Sequence, residues 1–358
     1  MNRILVYGMT ANPGGIESYV MNQFSLLDPE KAVFDFIVDF PQMCYDEDVK
    51  QKGSLIHFIP AKGKKLLSHW LGFYKVLKHH PEYKKVYFNI LDAGAVFSML
   101  VPWLMGREVI AHSHNGSTEK MRLHNICKPF LKLIAKKRYA CSKVAAEYMF
   151  DTTDVDVIPN SIDCEKYKFN ELTRSAKRKE LGISDDTLAI CFVGRLTYQK
   201  NVHFLNEVFH QLIKSKPNSV LLVVGDGEEK EKMIADSKEM GSFENIKFLG
   251  KRNDVNEILQ ATDVFVMTSF FEGLSVVAIE AQASGVSCVF SNGMSKETKL
   301  NDNVTFVSLE DCPDKWADVI IKQSQKPRCT DQTALQLAGY ELSCPNEVQI
   351  KMLEYFYK

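Results

Sequence analysis

The strongest chemical signal in this 358-residue chain is a pair of glutamates eight positions apart. They stand in Ser269-Phe-Phe-Glu272-Gly273-Leu274-Ser275-Val-Val-Ala-Ile-Glu280, which follows the apolar run Val264–Met267 and reads as a turn entering a helix. With a helix start near Leu274, Glu272 lies at the helix mouth and Glu280 about two turns in. Carboxylates so placed accept hydrogen bonds from the hydroxyls of a polyol. The N–H groups of Leu274 and Ser275 would face an anion at the positive end of the helix. In Val193-Gly-Arg195-Leu-Thr-Tyr-Gln-Lys200-Asn, an arginine and a lysine share a strand-to-helix loop. They can clamp two phosphates, or stand as solvated surface charges. Asn12-Pro-Gly14-Gly15-Ile-Glu17 opens the first helix, where glycines admit backbone N–H groups to an anion, although a plain turn fits equally. The dinucleotide and P-loop glycine fingerprints are both absent. Val224-Gly-Asp-Gly-Glu228 reads as a tight structural turn. Ile110-Ala-His112-Ser-His114-Asn115 ends a strand, and histidines at i and i+2 share one side of an extended segment.

The elements that must position these residues alternate. Arg3–Tyr7, Phe34–Asp39, Lys85–Asn89, Glu108–Ala111 and Arg138–Ala140 read as buried strands, separated by helical patterns such as Ile16–Leu27 and Leu66–His79. A second series restarts at Leu188–Val193 and continues through Ser219–Val224, Ile246–Phe248, Val264–Met267 and Ser287–Phe290. Its helical patterns are Val202–Lys214, Lys230–Met240, Asn253–Ala261 and Ser275–Ala283. Two βαβ series imply two Rossmann-like parallel-sheet domains. Polar Asp163–Lys179 reads as their connector. Cys344–Lys358 reads as a terminal helix with Ile350, Leu353 and Phe356 along one side, packing back on the first domain.

Composition excludes several classes. At 45% hydrophobic and 25% charged, the chain is neither disordered, collagen-like nor a coiled coil. Net charge is −1, which gives no push toward nucleic acid. Residues 1–160 lean basic, 20 Lys/Arg against 16 Asp/Glu, and the remainder acidic, 24 against 29. No signal-peptide pattern opens the chain, and the apolar stretch Ala93–Met105 is too short to span a bilayer, so it reads as a buried helix. Nine cysteines without a C-x-x-C pair read as reduced thiols buried in a cytosolic protein. Two first-domain segments, Lys62–Phe73 and Lys128–Arg138, mix basic and apolar residues, as peripheral membrane contacts do and as solvated helix faces do equally.

Taken in order, the G-G-x-E turn, the G-R-L-x-x-x-K loop, the Gly-Asp-Gly turn and the E-G-L-S-x-x-x-x-E helix resemble retaining glycosyltransferases of family 4. The resemblance spans nearly the whole chain and is nearest to bacterial exopolysaccharide and capsule transferases. It implies an α/β GT-B fold: two Rossmann-like domains facing a cleft, acceptor side at 1–162, donor side at 163–343, and helix 344–358 crossing back. It implies transfer of a hexosyl or N-acetylhexosaminyl group, with retention and without metal or cofactor, from a nucleotide-sugar, a UDP-sugar being the expected donor. The acceptor would be a glycan or a lipid-linked sugar, at the cytoplasmic side of the membrane.

By position in the family pattern, Arg195 and Lys200 would hold the diphosphate, with Gly14 and Gly15 abutting it. Glu280 would take the ribose, and Glu272 with the amides of Gly273, Leu274 and Ser275 the donor sugar. Arg252 would contact the base. The family places a histidine near the reacting centre, and His112, directly at the strand end, is favoured over His114, the alternative being that one or both are ordinary buried histidines. Ser275 replaces the usual Pro and Ser161 the usual Gly, both in loops near the donor. The alternatives are an epimerase of the same fold and a non-catalytic sugar-nucleotide-binding protein; intact Arg195, Lys200, Glu272 and Glu280 argue against the latter.

Overall fold

The β-patterned runs all become parallel strands, because each is apolar on both faces and must be covered twice. The structure is a computed structural model that describes residues 1–358 apart from Pro13, Lys64, Glu119 and Gly273. Pro13 of the first turn, Lys64 of the basic run and Gly273 of the donor loop therefore lie outside the described residues. The chain divides into two units, Met1–Ser161 with Leu342–Lys358, and Ile162–Glu341.

The first unit runs β1 (Asn2–Tyr7), α1 (Gly15–Leu26), β2 (Ala32–Val38), α2 (Asp46–Gln51), β3 (Ile56–Phe58), α3 (Leu66–His79), β4 (Lys85–Ile90), α4 (Val96–Leu104), β5 (Glu108–Ser113), α5 (Met121–Ile134), β6 (Lys137–Ala140), α6 (Lys143–Phe150) and β7 (Asp156–Val157). The second runs α7 (Cys164–Tyr167), α8 (Glu171–Glu180), β8 (Leu188–Val193), α9 (Val202–Ser215), β9 (Ser219–Val224), α10 (Lys230–Glu239), β10 (Ile246–Gly250), α11 (Val255–Ala261), β11 (Val264–Met267), α12 (Val276–Ala283), β12 (Ser287–Ser291), β13 (Val304–Val307), α13 (Pro313–Ser324) and α14 (Thr333–Leu337). The last helix, α15 (Glu347–Tyr357), belongs to the first unit.

The sheets are ordered β3-β2-β1-β4-β5-β6-β7 and β10-β9-β8-β11-β12-β13. In both, strand order reverses beside the first strand, so crevices open past the C-terminal ends of β1/β4 and of β8/β11. Each sheet carries an apolar layer on either face. In the first unit these are built around Phe73, Met99 and Leu131 on one side and Tyr19, Phe24 and Phe356 on the other. These are Rossmann-like α/β units, and the fold is GT-B.

Three expectations change. Asp163–Lys179 is not a loose connector: α7 and α8 are built into the second unit. Arg178 is buried, donating to the carbonyls of Ala261 (2.9 Å), Ser184 and Thr187 (2.6 Å each). Buried Lys177 meets Glu180 (2.6 Å), Asp254 and Glu257 (2.7 Å each). A polar helix can dock when its charges find partners, and hydropathy alone misses this. On α15 the buried positions are Gln349, Met352, Leu353 and Phe356, while Ile350 is exposed. Its inward face thus turns on a buried glutamine and not on Ile350. Ala93–Met105 splits into a short 3-10 turn and α4, whose end leaves Leu104 exposed. None of the nine cysteines forms a disulfide; five are buried, and the rest, among them Cys312 and Cys344, are exposed or half-buried.

Candidate active site

In the second unit, two loops meet at the β8/β11 crevice. The loop after β8 holds Arg195 and Lys200, and it rests on the Gly225-Asp-Gly227 turn. Leu196 N–H donates to Asp226 O (3.0 Å), and Glu229 N–H donates to Leu196 O (2.9 Å). Gly225 has φ +132°, and a Cβ there would stand 1.9 Å from Gly194 O. Only glycine permits that approach, so the turn is a seat for the phosphate-type loop, in keeping with its structural reading.

The loop after β11 carries Glu272. Phe270 N–H donates to Gln199 O (2.9 Å), Gln199 Nε2 to Phe271 O (3.0 Å), and Thr268 Oγ1 to Lys200 O (3.1 Å). Stitched in this way, the loops bring Lys200 and Glu272 into a direct ion pair, both side chains largely enclosed. Ser269 Oγ also reaches Glu272 Oε2 at 3.5 Å. Arg195, by contrast, is exposed and makes no side-chain bond among the described residues.

Helix α12 begins at Val276, two residues later than expected, with Ser275 as N-cap. Glu280 is therefore one turn in, not two. Ser275 makes no side-chain cap bond, its Oγ turning instead to Met267 Sδ at 3.9 Å. Ala278 N–H donates to Ser275 O (3.1 Å), while the N–H groups of Val276 and Val277, without a partner among the described residues, remain open to an anion. Leu274 is buried in the core beneath them. Glu280 Oε1 accepts from Tyr167 Oη at 2.7 Å; burial raises its carboxyl above the ordinary range, and the tyrosine pulls the other way. Arg252 is not gathered with this group. Its guanidinium forks onto Asp254, Nε at 2.7 Å and Nη2 at 2.5 Å, and reaches Glu180 at 3.2 Å, joining the Lys177 network.

In the first unit, Gly14 caps α1 and Gly15 begins it. The preceding loop is tied down by buried Glu17, whose Oε1 accepts from Thr10 Oγ1 (2.6 Å) and N–H (3.1 Å). At the end of β5 the two histidines stack, ring centroids 4.4 Å apart and 11° from parallel. They share one side, as alternation requires, but their access differs. His112 has 0% exposure, its Nδ1 3.0 Å from Tyr19 Oη and 2.7 Å from Tyr87 Oη. Met352 of α15 touches both tyrosines. His114 is half-buried, its Nε2 2.9 Å from Asn89 Oδ1. His112, favoured for its place directly at the strand end, sits one layer down, and His114 lies nearer solvent. Desolvation holds the His112 imidazole well below its usual range and brings His114 down to about 3. His114 Nδ1 and His112 Nε2 are buried without a partner among the described residues.

Spacing did not single out Asn89, Tyr19, Tyr87 or Tyr167. A polar Asn closing the apolar strand Lys-Val-Tyr-Phe-Asn was the available signal for the first.

The neutral histidines have a testable consequence. Between about pH 3 and the unfolded value of about 6.5, the unfolded chain binds protons that folded His114 refuses. Stability therefore rises with pH across that window and is lost as pH falls. His114→Asn should shrink the loss between pH 7.5 and 5 by at most about 2 kcal/mol in urea titrations. An unchanged pH slope would contradict the assignment.

Residues 173–334 match the family described as Glycosyl transferases group 1. The chain is 29% identical over 337 residues to EpsF of Bacillus subtilis strain 168, covering 88% of this chain and 86% of that one. It is 27% identical over 299 residues to the Escherichia coli UDP-Gal:alpha-D-GlcNAc-diphosphoundecaprenol alpha-1,3-galactosyltransferase, covering 78% and 76%. Anabaena HepE in complex with UDP-glucose superposes with a TM-score of 0.81 over 99% of both chains at 20% identity, a likeness of fold. Over residues 173–334 the chain is thus similar to the glycosyl transferases group 1 family, its fold is GT-B, and these similarities support a glycosyltransferase activity.

Proposed function

We propose that the chain is a retaining, metal-independent family 4 enzyme that moves a hexosyl or N-acetylhexosaminyl group from a UDP-sugar to a glycan or lipid-linked acceptor. Its setting would be bacterial surface polysaccharide synthesis on the cytoplasmic side. Residues 163–343 serve the donor and 1–162 the acceptor. The observation that carries the reading is the Lys200–Glu272 pair beside the uncapped start of α12. It joins a cation, a carboxylate and free N–H groups in one crevice. The E. coli relative is named for a UDP-sugar donor and a diphosphoundecaprenol acceptor, which supports the substrate classes.

As the glycosidic bond breaks, charge grows on the leaving diphosphate. Lys200, exposed Arg195 and the α12 N–H groups stabilise it, with Gly14 and Gly15 offering backbone N–H groups at the start of α1. Glu272 exchanges its lysine for hydroxyls of the donor sugar, assisted by the backbone of Gly273, Leu274 and Ser275. The acceptor attacks from the face of the leaving group, whose phosphate takes the proton. His114 accepts a sugar hydroxyl at Nδ1, since its Nε2–H is held by Asn89. Arg252 reaches the base only by releasing Asp254.

The test is release of UDP from UDP-sugars, alone and with acceptor, with the product's anomeric configuration read by NMR. Absence of turnover with tight UDP binding would favour a binding protein. Glu280, on Tyr167, takes the ribose. Glu280→Gln should raise KM by about tenfold, the loss of one hydrogen bond to a charged group, with kcat nearly kept. A fall in kcat at saturating donor would reject that role.

A further inference from the structure

Helix α5 is apolar on two adjoining sides. One buries His124, Cys127, Leu131 and Ile134 against the core. The other sets Leu123, Ile126, Phe130 and Leu133 in a stripe of helical spacing turned to solvent, the last three 66%, 56% and 69% exposed. Helix α3 repeats the arrangement. It buries His69, Phe73 and Leu77 and turns Leu67, Leu71 and Tyr74 outward, Leu67 being 78% exposed. Helix α4 packs between them and leaves Leu104 uncovered at its end. A surface groove of about 300 Å³ runs beside α3, lined by Phe58, Ile59, Leu71, Gly72 and Lys75 among others. Soluble surfaces rarely leave this much apolar side chain uncovered on neighbouring helices.

The charge carried by these two helices has one sign. Neither α3 nor α5 contains an Asp or Glu, whereas they carry Lys75, Lys78, Arg122, Lys128 and Lys132. Asp151 meets Lys128 and Lys132, each at 2.5 Å, and leaves the other three cations uncompensated by it. A second copy docking here would set like charges face to face. A sheet of anionic headgroups over acyl chains complements both features at once. We infer that the α3–α5 face of the first unit lies on an anionic lipid bilayer, the stripe Ile126–Phe130–Leu133 with Leu67 entering the headgroup–acyl boundary. The contact adjoins the β5 strand end. His114 N–H donates to Ile90 O (3.0 Å), the next residue, Leu91, is exposed, and α5 begins at Met121, close after His114 in sequence. A substrate held at the membrane would meet the acceptor-side histidine there. That last step rests on the proposed function; the docking itself does not.

The experiment is co-sedimentation of the full chain with phosphatidylcholine vesicles, with and without phosphatidylglycerol, at low and high salt. The wild type should bind the phosphatidylglycerol vesicles at least tenfold more strongly than the neutral ones, and lose binding in high salt. The triple variant Ile126→Ser, Phe130→Ser, Leu133→Ser should bind tenfold or more weakly with an unchanged melting temperature, because these side chains are outside the core. Lys75→Gln with Lys78→Gln should reduce the salt-sensitive part only. The inference is overturned by no preference for anionic vesicles, by full binding of the triple variant, or by a concentration-dependent dimer that the triple variant abolishes. None of these readouts requires turnover, so failure here and failure of the glycosyl-transfer reading are separable.

Discussion

Replacing His114 by alanine is expected to lower turnover by about 10²–10⁴-fold, the range for a positioned side chain acting directly at the reacting atoms. Of the two stacked histidines it alone is not fully enclosed, and its Nδ1, buried without a partner among the described residues, is left over once Asn89 has taken the other nitrogen. Its low pKa keeps it a neutral hydrogen-bond acceptor at any physiological pH. His112→Phe should behave differently. It leaves Tyr19 and Tyr87, both buried, without the ring nitrogen that both hydroxyls reach. The expected cost is about 1–3 kcal/mol of stability and a much smaller kinetic effect. Turnover would be followed as UDP released from the donor, and stability by urea midpoints. Equal kinetic losses in the two variants, or the larger one in His112→Phe, would return the role to His112.

The second large effect concerns Lys200 and Glu272, whose direct pairing makes them energetically one unit. Lys200→Ala should weaken UDP binding by about 10- to 150-fold, the value of a hydrogen bond to a charged group plus the cost of leaving Glu272 facing the diphosphate. Glu272→Gln should leave UDP affinity equal or tighter, since it frees the lysine, yet lower kcat by removing the contact to the sugar. In the double variant most of the Lys200→Ala penalty that stems from the bare carboxylate disappears. The cycle should therefore show a coupling of about 0.5–3 kcal/mol, as neighbours in one network do. Calorimetry with UDP measures it. Additive free energies would mean that the pair plays no part in binding.

How much of this could be read beforehand depended on the range of the interaction. Strands such as Leu188–Val193 and Ser219–Val224 were legible because burial on both faces needs an unbroken apolar run, which is a local property. The glycine turn at 225–227 was legible as structural, though not the reason, which is the 1.9 Å that separates a would-be Cβ from Gly194 O. Helix α8 was missed because its docking depends on carbonyls and carboxylates contributed by α11 and its flanks, far along the chain. Ile350 looked inward from apolar spacing, but Gln349 took the buried place. Its amide meets Gln23 Oε1 (3.3 Å) and Ser161 Oγ (3.2 Å), which only tertiary packing could supply.

By itself the sequence determined the two βαβ series, the loops that bear Arg195, Lys200 and Glu272, and the alternation that sets His112 and His114 on one side. These follow from the periods of strand and helix and from glycine's freedom at turns, which act over a few residues. Tertiary structure alone decided that Lys200 pairs with Glu272, that Tyr167 holds Glu280, that Arg252 reaches Glu180, and that His112 lies beneath His114. The reason is physical: depth below a surface and the partner of a charge depend on which distant segments pack above, and no local period records them.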